Sequence, residues 1–240
     1  MIRVQPASAR FHAEQDWLQS NFSFSFGPYF DRNNTAFGPM RVLNDDFVAA
    51  GHGFGAHPHS DMEVVSIVLK GKMRHKDNLG NDAVTSFGEV QLMSAGQGII
   101  HTEFNASDSE ELNLLQMWFM PTRRGLPPTY HTSRFDVHAL EDQLLPVVVP
   151  GEPPVADDAV PVCARIHQDM TVYLSRLQTG MSRPLPGSAE RRGFLFVIEG
   201  RLHLGSGEGL RSRDAARIEG EELVTVTADE STLLMWIDLP

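Results

Sequence analysis

Between Gly51 and Pro121 short apolar runs are cut at brief intervals by glycine or by polar turn clusters, and none repeats at the 3.6-residue period of a helix. A chain written this way has sheet as its main option. Glu63 to Leu69 is β-branched and apolar and stops at Gly71, and Lys72 to His75 resumes it as the second arm of a hairpin. Asp77 to Asp82 is a turn cluster, Val90 to Met93 a strand, Gly96-Gln-Gly98 a tight turn and Ile99 to Phe104 a further strand. Leu112 to Met120 is the most apolar run, and Pro121 closes it. Upstream, Phe22-Ser-Phe-Ser-Phe26 alternates strictly and reads as a half-buried strand, while Met40–Leu43 and Phe47–Ala50 read as short strands on either side of Asn44-Asp45-Asp46.

The pattern occurs twice. Ser66 to Gly80 matches Leu195 to Gly209 in character: apolar strand, charged residue, glycine, basic residue, apolar residue, glycine-bearing turn. Between Pro146 and Pro161 lie five prolines, the composition of a linker or a stiff edge segment, with room for a short helix. The expectation is a first domain over 1–135, a proline-rich linker region over 136–160 and a second domain over 161–240.

Composition narrows the function classes. A net charge of −11 with no run of lysine or arginine disfavours direct binding to a phosphate backbone. Cys163 is the only cysteine, so there is no disulfide framework or thiolate cluster, and it reads as a small core residue. The first residues lack the apolar segment of a signal peptide, and no apolar run approaches membrane-spanning length. The expectation is therefore a cytoplasmic, monomeric protein bound neither to membrane nor to nucleic acid.

Four side chains carry the chemistry: His57 and His59, then His101 and Glu103. Residues two apart on a strand share a face at a separation of roughly 6.5–7 Å, so each pair can aim two ligating groups at one point. Two such pairs on neighbouring strands could surround one ion. Three imidazoles and a carboxylate suit Fe(II), Mn(II), Ni(II), Cu(II) or Zn(II) better than Ca or Mg, and iron(II) is expected first. Glu63 competes with Glu103 as fourth ligand because its parity puts it on the face of His57 and His59; otherwise it is expected to hold a histidine ring by hydrogen bond. Carried along the repeat, His57 and His59 fall at Pro186 and Ser188, and His203 falls at Arg74, so the second domain is expected to hold no metal. His12, His52, His75, His131, His138 and His167 read as surface or hydrogen-bonded histidines.

Gly51 through Gly71, with His57, His59 and Glu63, resembles the first cupin motif, and Gly88 through Asn105 resembles the second. In most cupins the first-motif glutamate stands where this chain has Val64. The pairing of His-x-His with His-x-Glu is instead similar to the pirin family. Trp17-Leu18, Phe22–Phe26, Arg41–Asp46, Gly53–Glu63, Met93–Gly96, Gln116–Pro121 and His167-Gln-Asp169 all look like bacterial pirins. The resemblance implies an all-β fold of two cupin (double-stranded β-helix, jelly-roll) barrels and a fourth ligand in Glu103. It further implies quercetinase activity: opening of the central flavonol ring by O2 with release of carbon monoxide, with Glu103 as general base on an aromatic, flavonol-like substrate. Two other readings stand beside it. One is a non-enzymatic, metal-dependent binding protein or redox sensor acting through protein partners; the other is a closed zinc site that only stabilises the barrel.

Overall fold

A computed structural model describes residues 1–153 and 162–240. The first half holds β1 (Ile2–Gln5), β2 (Phe11–Gln15), β3 (Leu18–Phe22), β4 (Met40–Val48), β5 (Gly53–His59), β6 (Glu63–Lys70), β7 (Lys72–Asp77), β8 (Asp82–Ser86), β9 (Glu89–Ser94), β10 (Ile99–Asn105) and β11 (Leu112–Phe119). The second holds β12 (Thr129–Arg134), β13 (Leu145–Pro150), β14 (Ala164–Ile166), β15 (Thr171–Leu177), β16 (Ser182–Leu185), β17 (Arg192–Glu199), β18 (Arg201–Leu204), β19 (Gly209–Arg211), β20 (Ala215–Glu219), β21 (Val224–Ala228) and β22 (Thr232–Leu239). The helical turns among the described residues are two short 3-10 segments, Ala7–Ala9 and Val137–Leu140.

Contacts divide the chain into two compact units. The first comprises Phe11–Arg134 and Pro150–Gln168; the second comprises Met1–Arg10, Phe135–Val149 and Asp169–Pro240. In the first, a sheet ordered β12-β9-β6-β11-β4-β3-β2 opposes a sheet ordered β5-β10-β7-β8. In the second, β1-β20-β17-β22-β15-β13 and β16-β21-β18-β19 repeat that order for every strand but β2. Both units are cupin-type jelly rolls, with opposed sheets rather than closed barrels. The duplicated hairpin is the centre of the match: Gly71 and Gly200 turn it with φ of +80° and +89°, values that favour glycine. A Cβ at either would also press on backbone, on Glu111 O at 2.9 Å or Ser231 O at 2.4 Å.

The units are not contiguous in sequence, unlike the expected division at 135 and 161. Strand β1 takes, beside β20, the place that β12 takes beside β9. An edge strand needs only an open ladder, and the N-terminal residues find theirs in the second unit. Within the expected linker, β13 pairs with β15, and Asp136 caps the Val137–Leu140 turn by accepting from the His138 N–H. The remainder of that linker, at 154–161, lies outside the described residues.

Two local readings also change. Strand β3 ends at Phe22, and Phe26 pairs only with Tyr29 across a turn, so Phe22–Phe26 is not one strand. Its aromatic rings still pack, with Phe22 and Phe26 edge to face at 5.2 Å. The polar triplet Asn44-Asp45-Asp46 is not a turn but the middle of the continuous strand β4, paired on one side with β3 and on the other with β11. Its side chains are held there: Asn113 donates to the Asp45 carboxylate and Ser20 to that of Asp46.

Register then places a polar row on the inner face of the larger sheet. Phe22 stands opposite Asn44, Asn44 opposite Gln116, Gln116 opposite Ser66, and Ser66 opposite Gln91. Directly opposed residues point to one face, so this row looks across the unit toward β10. Apolar clusters flank it: Val64, Met93 and Ile99 on one side, Val68, Met73 and Leu114 on the other.

Candidate metal centre

Strands β5 and β10 are antiparallel neighbours, and His57 stands directly opposite His101. The register slips between His101 and Glu103, which faces Phe54. Such a slip twists the strand and re-aims side chains. Gly53 lets the strands approach: a Cβ there would lie 2.3 Å from Glu103 O and 2.5 Å from Phe104 Cα. The rings of His57, His59 and His101 form a triangle with centroids 4.4–4.9 Å apart. One nitrogen from each lies within 4.8 Å of the others.

Hydrogen bonds fix the tautomers. His57 Nδ1 donates to Gly55 O at 2.7 Å, which leaves its Nε2 lone pair free. His101 is reached through a chain that begins at Asp77. Burial opposes ionisation of Asp77, yet hydrogen bonds from His75, Asn81 and Leu79 hold its carboxyl below the usual range. The carboxylate accepts from His75 Nε2 at 2.9 Å, which leaves His75 Nδ1 to accept from the Nδ1–H of His101 at 3.3 Å. His101 Nε2 is then deprotonated, and it is buried without a hydrogen-bond partner. Burial, followed by the neighbouring imidazoles, pushes the proton affinity of His101 well down, and burial and His57 lower that of His59 to about 4. Three imidazoles whose nitrogens converge, one of them an otherwise unsatisfied buried nitrogen, fit a divalent metal ion.

Glu103 is also buried, and both its oxygens are engaged. Gln91 Nε2 donates to Oε1 at 3.0 Å and Gln116 Nε2 to Oε2 at 2.7 Å. The amides are oriented in turn, because Tyr130 O–H donates to Gln91 Oε1 and Trp118 Nε1–H to Gln116 Oε1, both at 3.0 Å. Burial raises the carboxyl above its ordinary value, opposed by these hydrogen bonds and by nearby histidines. Its ligand atom groups within 4.8 Å with those of His101 and His75, while His57 and His59 group with His101. The structure thus forms two overlapping triads that share His101.

His75 is therefore more than a hydrogen-bonded histidine away from the site. It is fully buried, stands opposite Glu103 on β7, and stacks on Tyr130 at 4.1 Å. Gln91 and Gln116 also escaped the sequence reading, although each is a polar residue between apolar neighbours of a strand, a signal that a buried partner awaits it. Glu63 neither joins the triads nor holds one of their rings. It accepts from Ser94 Oγ at 2.6 Å and lies 3.5 Å from His167 Nδ1, because β6 carries it toward the segment after β14. Val64 packs with Met93 and Ile99. His131 accepts the Arg165 N–H, His12 pairs with Asn21, and His203 pairs with Asp229. Cys163 is half-buried, and burial raises its thiol.

In the second unit the register puts Leu185, Val224 and Val226 where the first has His57, His101 and Glu103. The counterpart of His57 is thus Leu185 rather than Pro186. Leu204 takes the place of His75, and all four join one apolar cluster. The two metal-ligating groups found among the described residues belong to the first unit.

Beside the triads lies a cavity of about 330 Å³ into which His57 and Glu103 look. Phe22, Phe26, Phe54 and Trp118 make its apolar walls, and Ser20, Asn44, Asp46 and Gln116 its polar surface. No helix among the described residues is long and apolar enough to cross a membrane.

Known proteins agree with this layout. The Pirin family profile matches residues 3–119, and the profile of the quercetinase C-terminal cupin domain matches 155–239. A protein of Escherichia coli K12 named quercetin 2,3-dioxygenase is 38% identical over the whole chain and 99% of its own length. A pirin-like protein of Caulobacter vibrioides is 35% identical over 99% of both chains. The crystal structure of the bacterial pirin YhhW of Escherichia coli in complex with nickel(II) superposes with a TM-score of 0.89 at 38% identity, covering the whole chain and 99% of that one. Over this length and identity the likeness extends to both units, and the chain belongs to the pirin family.

Proposed function

We propose that this chain is a metal-dependent dioxygenase that opens the central ring of flavonols such as quercetin with O2 and releases carbon monoxide, with His57, His59, His101 and Glu103 holding its ion. The observation that carries the reading is the cavity: aromatic walls of a size for a three-ring ligand end on two of the four proposed ligands. A redox-capable divalent ion, iron(II) foremost, supplies Lewis acidity toward the enolic oxygen of the substrate and electron exchange with O2.

The protein supplies the rest. Trp118, Phe22, Phe26 and Phe54 stack against flat rings and keep water away from the reacting carbons. Glu103 lines the cavity and is the carboxylate placed to take the proton of the enolic hydroxyl. Gln91 and Gln116 hold it in place for that transfer. The overall reaction balances as flavonol plus O2 giving a phenolic-carboxylate ester plus carbon monoxide, with both atoms of O2 retained in the ester product. The same relatives' names support the substrate class.

O2 uptake with quercetin tests the proposal, using protein reconstituted separately with Fe(II), Mn(II), Ni(II), Cu(II) and Zn(II) beside a His59→Ala control. Uptake that needs a redox-capable metal and disappears in the control is expected. No uptake with any metal, in protein shown to be loaded, overturns it in favour of a metal-dependent binding protein.

A further inference from the structure

The cavity has a further polar surface, continuing from Gln116 along β4 and β3, that the proposed reaction does not use. Asn44 and Asp46 alternate on β4 and so face inward together, and Ser20 stands opposite Asp46 on β3. All three are buried, at 3% exposure or less. Ser20 donates to Asp46 Oδ1, while Oδ2 has no hydrogen-bond partner among the described residues. Asn44 Oδ1 is buried and unpaired as well. Buried polar atoms are rarely left without partners, and those that line a cavity are commonly completed by what fills it.

From this we infer that Asn44, Asp46 and Ser20 form a hydroxyl-recognition end of the cavity, which takes the hydroxylated pendant ring of a flavonol. The inference rests on the cavity's being a flavonol site, and deepens that reading by naming which hydroxyl groups are read. The chemistry selects the ligand class. Asp46 Oδ2 accepts when ionised and donates when protonated, and the Asn44 amide accepts and donates, which a pair of adjacent phenolic hydroxyls satisfies and a bare ring does not. Asp46 shares the cavity lining with a second carboxyl, Glu103, so this end does not favour a further negative charge beside it. A carboxylated or sulfonated pendant ring is therefore excluded, whereas neutral hydroxyls are accepted. Phe22, opposite Asn44, gives the ring an apolar face to lie on while its hydroxyls reach the strand.

The test is anaerobic equilibrium binding to metal-loaded protein of quercetin and of galangin, which is quercetin without the two pendant-ring hydroxyls. The wild type is expected to bind quercetin about tenfold more tightly, the worth of one or two well-made hydrogen bonds. In Asp46→Ala and Asn44→Ala the preference is expected to fall to about twofold or less. Equal affinity of the wild type for the two ligands overturns the inference, whether or not the variants fold. So does a preference that survives unchanged in folded variants. Failure of the wild type to bind either ligand overturns the flavonol reading beneath it, and is distinguishable because both titrations are then flat.

Discussion

At the scale of single residues, the site is organised by groups that do not touch the ion. Asp77 fixes the proton of His75, His75 that of His101, and His101 is left with one lone pair pointed at the other two rings. Outer partners of this kind usually tune metal affinity 10–100-fold. His75→Leu is accordingly expected to weaken metal binding by about that factor in a chelator competition, while the fold persists, since Leu204 fills the corresponding place in the second unit. An unchanged affinity would show that His101 orients itself. Asp46 gives a pH prediction for the metal-free protein. Burial lifts its carboxyl to about 7, with the Ser20 hydrogen bond opposing and Asp45 and Glu103 adding to the rise. A group whose folded value is raised contributes stability that is fully present below its ordinary range near 3.8 and is lost as pH climbs through 7. Asp46→Asn removes that titration. Its stability relative to wild type in urea unfolding is expected to climb between pH 4 and 8, by at most about 4 kcal/mol. A difference independent of pH would mean that Asp46 ionises freely.

At the scale of elements, the spacing of β5 from β10 decides whether two pairs of ligands become one site. Gly53 permits it, and the register slip before Glu103 turns the second pair. Gly53→Ala puts a methyl group against the Glu103 backbone, an overpacking that costs typically about 1–3 kcal/mol and must push the strands apart. Reduced metal occupancy and a lowered Tm are expected together. Gly55→Ala is the matched control on the same strand: nothing lies within 4 Å of its added carbon, so both readouts should stay near wild type. If the two variants behave alike, strand spacing is not what assembles the site. The larger sheet acts from the opposite side, because β9 and β11 each send one amide across to Glu103. Gln116→Leu leaves a buried carboxylate oxygen without its donor. A loss of about 1–3 kcal/mol in stability, greatest in metal-free protein, is the expected result of denaturation measurements.

At the scale of the whole molecule, one architecture is used twice and equipped once. Leu185, Val224 and Val226 turn the second unit's equivalent of the metal centre into apolar core, so metal analysis is expected to give one equivalent per chain and close to none in His101→Ala. Two equivalents would contradict the register. Much of this was legible in the chain itself. Side chains alternate along any strand, so His57 with His59 and His101 with Glu103 had to share faces, and the repeated strand–glycine–strand text around Gly71 and Gly200 announced the duplication. Other features were not legible, for one physical reason. Asn44-Asp45-Asp46 has the local preferences of a turn, and it is strand because β3 and β11 claim its backbone from both sides. Gln91, Gln116 and His75 became parts of the site only when their strands came to lie across from or beside β10, and β1 left its neighbours in sequence for a free edge at β20. Glu63 kept the parity of a ligand yet was carried to His167. The order of residues determined which side chains could point together, because that depends on neighbours along one strand. Which faces then met, and hence which carboxylate, which amides and which histidine completed the centre, was decided by pairing between strands far apart in the chain.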